Sequence, residues 1–156
     1  MQLTILNLFI AVLFATGAAT AADCNKADYV HIAGRVSKVN IYTPFRGDST
    51  NCELSSGNES EAVKALQRQL NLCGWEGGPK RGSPKCKGFK EALKEDRQFG
   101  RNTTRALKQC QKQWGADDDG KYGPETRSKM YWGATLGTAV SCAKLGEWPK
   151  IVNDQF

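Results

Sequence analysis

Asp96-Arg97-Gln98-Phe99-Gly100-Arg101-Asn102-Thr103 and Asp119-Gly120-Lys121-Tyr122-Gly123-Pro124-Glu125-Thr126 are two copies of one pattern, D-x-x-[FY]-G-x-x-T, offset by 23 residues. Each copy opens a helix. The physics is local. The Asp carboxylate accepts hydrogen bonds in a tight turn. The aromatic ring plugs the core beside the helix start. The Gly lets the backbone change direction sharply. The Thr hydroxyl can satisfy an orphan donor at a helix N-terminus. The first duty of the motif is therefore structural.

Working outward, three helices are predicted. The first starts near Ser60, with Asn58 and Glu61 resembling a capping box and Ser60 as the rival cap. Val63, Leu66, Leu70 and Cys73 share one face, Lys64, Gln67, Arg68 and Asn71 fall elsewhere, and Gly74 is the natural left-handed cap. The second carries Ala106, Leu107, Cys110 and Trp114 as its apolar stripe, is capped by Asn102 or Thr103, and ends at Gly115. The third runs from Glu125 to Trp132, with Pro124 at the first helical position. Met130 and Tyr131 or Trp132 face inward. Residues 77–88 read as a loop, and 89–96 as a short helix or an extended piece. Residues 23–57 read as extended or irregular, with β-favouring stretches at 29–32 and 36–42.

Residues 1–22 hold no charged side chain and join an apolar run to small residues, with Ala19-Thr20-Ala21 fitting a small-x-small cleavage site. That is the pattern of a secretory signal peptide. Removing it leaves a mature chain of about 134 residues, with no later segment apolar enough to span a membrane. The expected organisation is a signal peptide at 1–22, an extended segment at 23–57, a domain at 58–142 and a tail at 143–156.

All six cysteines (Cys24, Cys52, Cys73, Cys86, Cys110 and Cys142) follow the signal. An even number in a small exported chain argues for three disulfides, of which fifteen pairings are open. No CxxC pair exists and His31 is the single histidine, which argues against zinc. Asn58 and Asn102 stand in N-x-S/T sequons and can carry glycans in a eukaryotic secretory pathway.

The chain carries a formal net charge of +6, and residues 79–112 alone carry +8, from 11 Lys or Arg against three acids. A basic stretch of this kind is either a solvated helix face or a surface for anionic polymers such as teichoic acid, acidic glycan or phospholipid. No nucleic-acid-binding motif accompanies it. Of four tryptophans, Trp114 and Trp132 fit helix stripes. Trp75, after Gly74, is the candidate for an exposed sugar-stacking ring. Trp148 falls in the tail. No HExxH, GxSxG or Cys/His set is present, and Asp117-Asp118-Asp119 does not complete a calcium loop. No catalytic residue, metal or cofactor is expected.

Val63-Lys64-Ala65-Leu66-Gln67-Arg68-Gln69-Leu70-Asn71, followed by the two repeat turns, resembles the peptidoglycan-binding domain family. Its pattern is V-x-x-L-Q-x-x-L-N, D-G-x-F-G-x-x-T and V-D-G-x-x-G-P-x-T, and the likeness covers residues 58–132. With the signal and the cysteines, the chain looks most like the small secreted fungal versions. The resemblance implies a mainly α, compact three-helix domain of two pseudo-symmetric halves, which holds cell-wall glycan or its peptide stems without turning them over. Arg97 replaces the family's Gly, so the first turn is expected to be altered. Arg101-Asn102 replaces Pro-x, and residues 77–88 look inserted.

From this a ligand site is expected in the groove between the repeat turns and the first helix. Trp75 would stack, Tyr122 would flank, and Arg97, Arg101, Asn102 and Lys121 would supply polar contacts. A glycan on Asn102 would crowd that groove. The alternatives are a secreted effector that uses the fold as a scaffold for a protein partner, and a small glycan hydrolase acting through Glu91 or Asp119.

Overall fold

The computed structural model describes residues 22–33, 38–78, 82–136 and 139–145. The expected signal segment, Trp148 and the rest of the tail after Leu145 lie outside the described residues. The elements in chain order are β1 (Lys26–Ala33), β2 (Lys38–Phe45), α1 (Glu61–Cys73), α2 (Arg101–Trp114), α3 (Pro124–Lys129), β3 (Trp132–Leu136) and β4 (Ala139–Ala143).

The three helices form where the sequence places them, but the molecule is not mainly α. The four strands make one antiparallel sheet in the order β1-β2-β3-β4. β1 pairs with β2 from Lys26 opposite Phe45 to Ala33 opposite Lys38, and β2 meets β3 at Asn40 and Thr135. The sheet unites the segment before the helices with the segment after them. The three-helix expectation is corrected accordingly. The physical reason lies in α1, where eight of 13 residues are buried. A single stripe against two short helices could not cover them; the sheet covers the second side.

Gln69 shows how closely the two layers engage. Its Nε2 donates to the Tyr42 carbonyl at 2.8 Å and to the Gly133 carbonyl at 3.3 Å, while the Gly133 N–H donates back to its Oε1 at 2.6 Å. A buried helix side chain thus satisfies backbone groups of β2 and β3 together, as burial demands of polar atoms. Gly133 also lets α1 approach: a Cβ there would sit 3.0 Å from the Leu72 side chain.

Local details correct several readings. Ser60 is the N-cap of α1, its Oγ accepting from the Val63 N–H. Gly74 is not left-handed, with φ −103°. Its glycine is needed for space, because a Cβ would lie 2.5 Å from Cys110 Sγ. The N-cap of α2 is Gly100, with no side-chain cap. The third helix stops at Lys129, and Trp132 opens β3 as a fully buried core residue. Residues 89–96 form neither helix nor strand. Gly115 closes α2 in the left-handed region, as expected.

The disulfides pair Cys24 with Cys52, Cys73 with Cys142, and Cys86 with Cys110. The first fastens the start of the described chain, the second ties the end of α1 to β4, and the third clips the loop after α1 to α2. Each such link typically contributes about 2–4 kcal/mol.

Candidate functional site

Both repeat turns are built around a buried glutamine. Gln67 of α1 donates through Nε2 to Asp96 Oδ1 (2.9 Å), the Gln98 carbonyl (3.0 Å) and Thr103 Oγ1 (3.1 Å), and accepts from the Arg97 N–H (3.2 Å). Gln111 of α2 repeats the set with Asp119 Oδ1 (3.1 Å), the Lys121 carbonyl (2.8 Å), Thr126 Oγ1 (2.9 Å) and the Gly120 N–H (2.9 Å). The two halves are therefore pseudo-symmetric at the level of single hydrogen bonds. The motif threonines serve the glutamine rather than a helix N–H. The Asp96 carboxyl is held below the usual carboxylate range, first by the Gln67 amide and then by the Gln98 N–H.

Arg97 does not alter its turn. It adopts φ +70°, beside +77° for Gly120 at the equivalent place. Its guanidinium pairs with Glu61 at 2.6 Å. Residues 54–60 then take up the outer backbone groups of both turns. Leu54 and Tyr122 exchange two 2.8 Å bonds, Phe99 donates to the Asn58 carbonyl, and Ser60 donates to the Arg97 carbonyl. The chain itself lies between the two turns where a ligand had been expected.

A concave surface lies along α2. A cleft of about 260 Å³ is walled by residues 88–94 on one side and by Asn102, Arg105, Ala106 and Gln109 on the other. It runs past Arg105 and Gln109 into an open depression of about 500 Å³, bounded also by Ser56, Arg101, Thr104 and Lys108. The loop wall is held firmly. The Asn71 side chain exchanges hydrogen bonds with the Leu93 N–H (2.8 Å) and carbonyl (2.9 Å), and Glu76 accepts from the Gly88 N–H at 2.6 Å. Phe89 is buried behind it, and the Cys86–Cys110 link fixes its base.

The expected ligand residues separate. Arg101 and Asn102 line the depression and the cleft respectively. Trp75 is half-buried and gives its indole N–H to the Lys90 carbonyl, so it braces the loop wall from behind. It stands at the far end of α1 from Arg97, about 20 Å away along a 13-residue helix. Lys121 is exposed beside the second turn. Tyr122 is fully buried, its ring edge-on to Trp132 at 6.3 Å, and offers no surface to a ligand. Burial pushes its hydroxyl well above the ordinary tyrosine range. Thr43 Oγ1 neighbours that hydroxyl, yet neither reaches hydrogen-bond geometry, and Arg127 Nε is likewise unpartnered.

The sequence reading counts Lys90, Lys94, Arg105 and Lys108 within the basic stretch 79–112 without singling them out, and does not name Gln109. The signal was available: Arg101, Arg105 and Lys108 stand at i, i+4 and i+7, opposite the apolar stripe of α2. Asn102 is exposed in the cleft, where a glycan would fill it. Asn58 is engaged in a turn, accepting from the Ser55 N–H at 2.6 Å. Among the described residues no group of three or more His, Cys, Asp or Glu is placed to hold a metal ion. No helix there is long and apolar enough to cross a membrane.

Residues 59–130 match the family model for a peptidoglycan binding domain. No curated protein and no solved structure matches the chain. The matched span runs from the start of α1 to the end of α3 and includes both glutamine-centred turns. Over residues 59–130 this chain is therefore similar to the peptidoglycan binding domain family.

Proposed function

We propose that the protein is a secreted, non-catalytic module that holds cell-wall polysaccharide, peptidoglycan or a related N-acetylated glycan, in the groove along α2. The observation that carries this reading is the family match spanning both repeat turns. The groove is preformed, as small-ligand sites usually are. Glu91 is the one carboxylate among its lining residues. A glycosidase needs two carboxyl groups across the scissile bond, so binding without turnover fits the lining. Three disulfides suit an oxidising, extracellular setting.

The test is co-sedimentation of the purified protein with insoluble peptidoglycan, chitin, cellulose and β-glucan, with released reducing sugar assayed in the supernatant. Pelleting with peptidoglycan or chitin and no sugar release is expected. Protein that stays in the supernatant with every polymer, or sugar release with any of them, overturns the reading.

A further inference from the structure

We infer that the α2 groove selects an acidic wall polymer, a linear chain bearing repeated carboxylate or phosphate groups, over a neutral glycan. This rests on the reading of the groove as a wall-polymer site and narrows it to a charge class. Five cations line the groove, Lys90, Lys94, Arg101, Arg105 and Lys108, against the single acid Glu91. Among the described residues the ion pairs are Lys26–Asp48 and Arg97–Glu61, so none of the five stands in a direct ion pair, and Lys94 feels a nearby carboxylate, that of Asp96.

Their arrangement suits a linear ligand. Arg101, Arg105 and Lys108 follow one line along α2, at axial steps of about 4.5–6 Å. That is shorter than the screening length of about 8 Å at physiological salt, so their fields add along the groove. Lys90 and Lys94 extend the positive surface on the opposite wall. The loop wall is fixed by a disulfide and by the side-chain hydrogen bonds of Asn71, Trp75 and Glu76, so little ordering is needed when a ligand enters.

The lining also offers a neutral sugar less than it offers an anion. Stacking on an exposed ring is the usual apolar contribution to holding a sugar face. Phe89, the aromatic in the lining, is 3% exposed, and Tyr29 on β1 is the exposed large hydrophobic of the described residues. Recognition in the groove therefore runs through charge and hydrogen bonds, from Asn102, Thr104 and Gln109 beside the cations.

The experiment measures Kd for three soluble probes, polygalacturonate, poly(glycerol phosphate) and chitohexaose, at about 50 mM and 500 mM salt. Parallel titrations use the Arg105→Glu/Lys108→Glu variant, and Lys26→Glu as a control remote from the groove. One of the acidic probes is expected to bind at least about tenfold tighter than chitohexaose. Its affinity should fall more than about tenfold with salt, as release of condensed counterions requires. The double variant should lose that binding at unchanged Tm, and Lys26→Glu should keep it. Which acidic probe leads assigns carboxylate or phosphate. Chitohexaose binding as tightly as both acidic probes, at either salt, overturns the inference while the wall-polymer reading stands. Binding to none of these probes or to the insoluble glycans overturns both. Equal loss in Lys26→Glu, or tighter binding to single-stranded DNA than to either acidic polymer, overturns the groove assignment. Should the double variant unfold, Arg105→Gln/Lys108→Gln supplies the same comparison without charge reversal.

Discussion

The two repeat turns differ at their second residue. One carries Arg97 and the other Gly120, yet both backbones enter the left-handed region, at φ +70° and +77°. Both are gripped by a glutamine in the same four-bond pattern. An L-residue in that region costs about 1–2 kcal/mol. The first turn therefore holds its shape against a backbone preference, and the glutamine is what over-determines it. The second turn needs its glycine twice, since a Cβ on Gly120 would also lie 2.9 Å from Thr104 Cγ2 and Lys108 Cε. The first turn stands where the Arg97 side chain can leave toward solvent and Glu61. Conformational strain is tolerated where there is room, and excluded where there is none.

The most damaging way to break the equivalence is to remove a glutamine amide. Gln111→Leu keeps the volume but strands the buried Gly120 N–H and withdraws the amide donor from the Lys121 carbonyl, Asp119 and the buried Thr126 hydroxyl. A loss of about 3 kcal/mol is expected, since each unsatisfied buried group costs about 1–3 kcal/mol. Gln67→Leu should cost somewhat less, because Arg97 is exposed where Gly120 is buried. Urea unfolding midpoints measure both. A Gln67→Leu loss exceeding that of Gln111→Leu would mean the strained turn leans on its glutamine more than the relaxed one does.

A smaller effect exchanges the backbone preferences. Gly120→Ala should cost about 2 kcal/mol, from the left-handed φ together with the close Thr104 and Lys108 contacts. Arg97→Gly should gain about 0.5 kcal/mol. Relief of the backbone is offset by loss of the half-exposed Glu61 pair, worth about 0–1 kcal/mol. Thermal unfolding of the two variants gives opposite signs if the turns are equivalent in backbone alone. Destabilisation by Arg97→Gly would assign the Glu61 pair a larger role than its exposure suggests.

The elements that periodicity governs were legible in the sequence. α1 begins two residues before its apolar stripe and ends with it, α2 begins five residues before its stripe and ends with it, and Phe99 and Tyr122 plug the core as the motif implies. Gln67 was not legible as a core residue, because an apolar-face count assigns a glutamine to solvent. The remaining signal was the repeat itself, Leu66-Gln67 against Cys110-Gln111. It was masked by unequal spacing: Gln67 stands 29 residues before its Asp96, and Gln111 eight before Asp119. β3 was hidden differently. Trp132 follows directly on α3 and reads as its continuation, Gly133 breaks the alternation, and the pairing strand β2 lies some 90 residues earlier. The groove was half legible. Arg101 and Asn102 were chosen for lying beside a turn, but the opposing wall comes from residues 88–94, which carry no periodic pattern at all.

The gentlest probe of the comparison is acid. The Asp96 carboxyl lies below its ordinary range chiefly because the Gln67 amide donates to the ionised form. A depressed folded value means that this contribution to stability is present above the ordinary carboxylate pKa and is lost as pH falls through the folded value. Carboxyl NMR titration should therefore find Asp96 below the ordinary 3.8 in the parent protein. In Gln67→Asn, whose shorter arm withdraws the amide while leaving a polar group in place, Asp96 should move back up toward that value. An Asp96 value unchanged by Gln67→Asn would transfer the effect to the Gln98 N–H and Lys94. The first turn would then own its carboxylate without help from α1, and the symmetry of the two halves would be one of shape rather than of electrostatics.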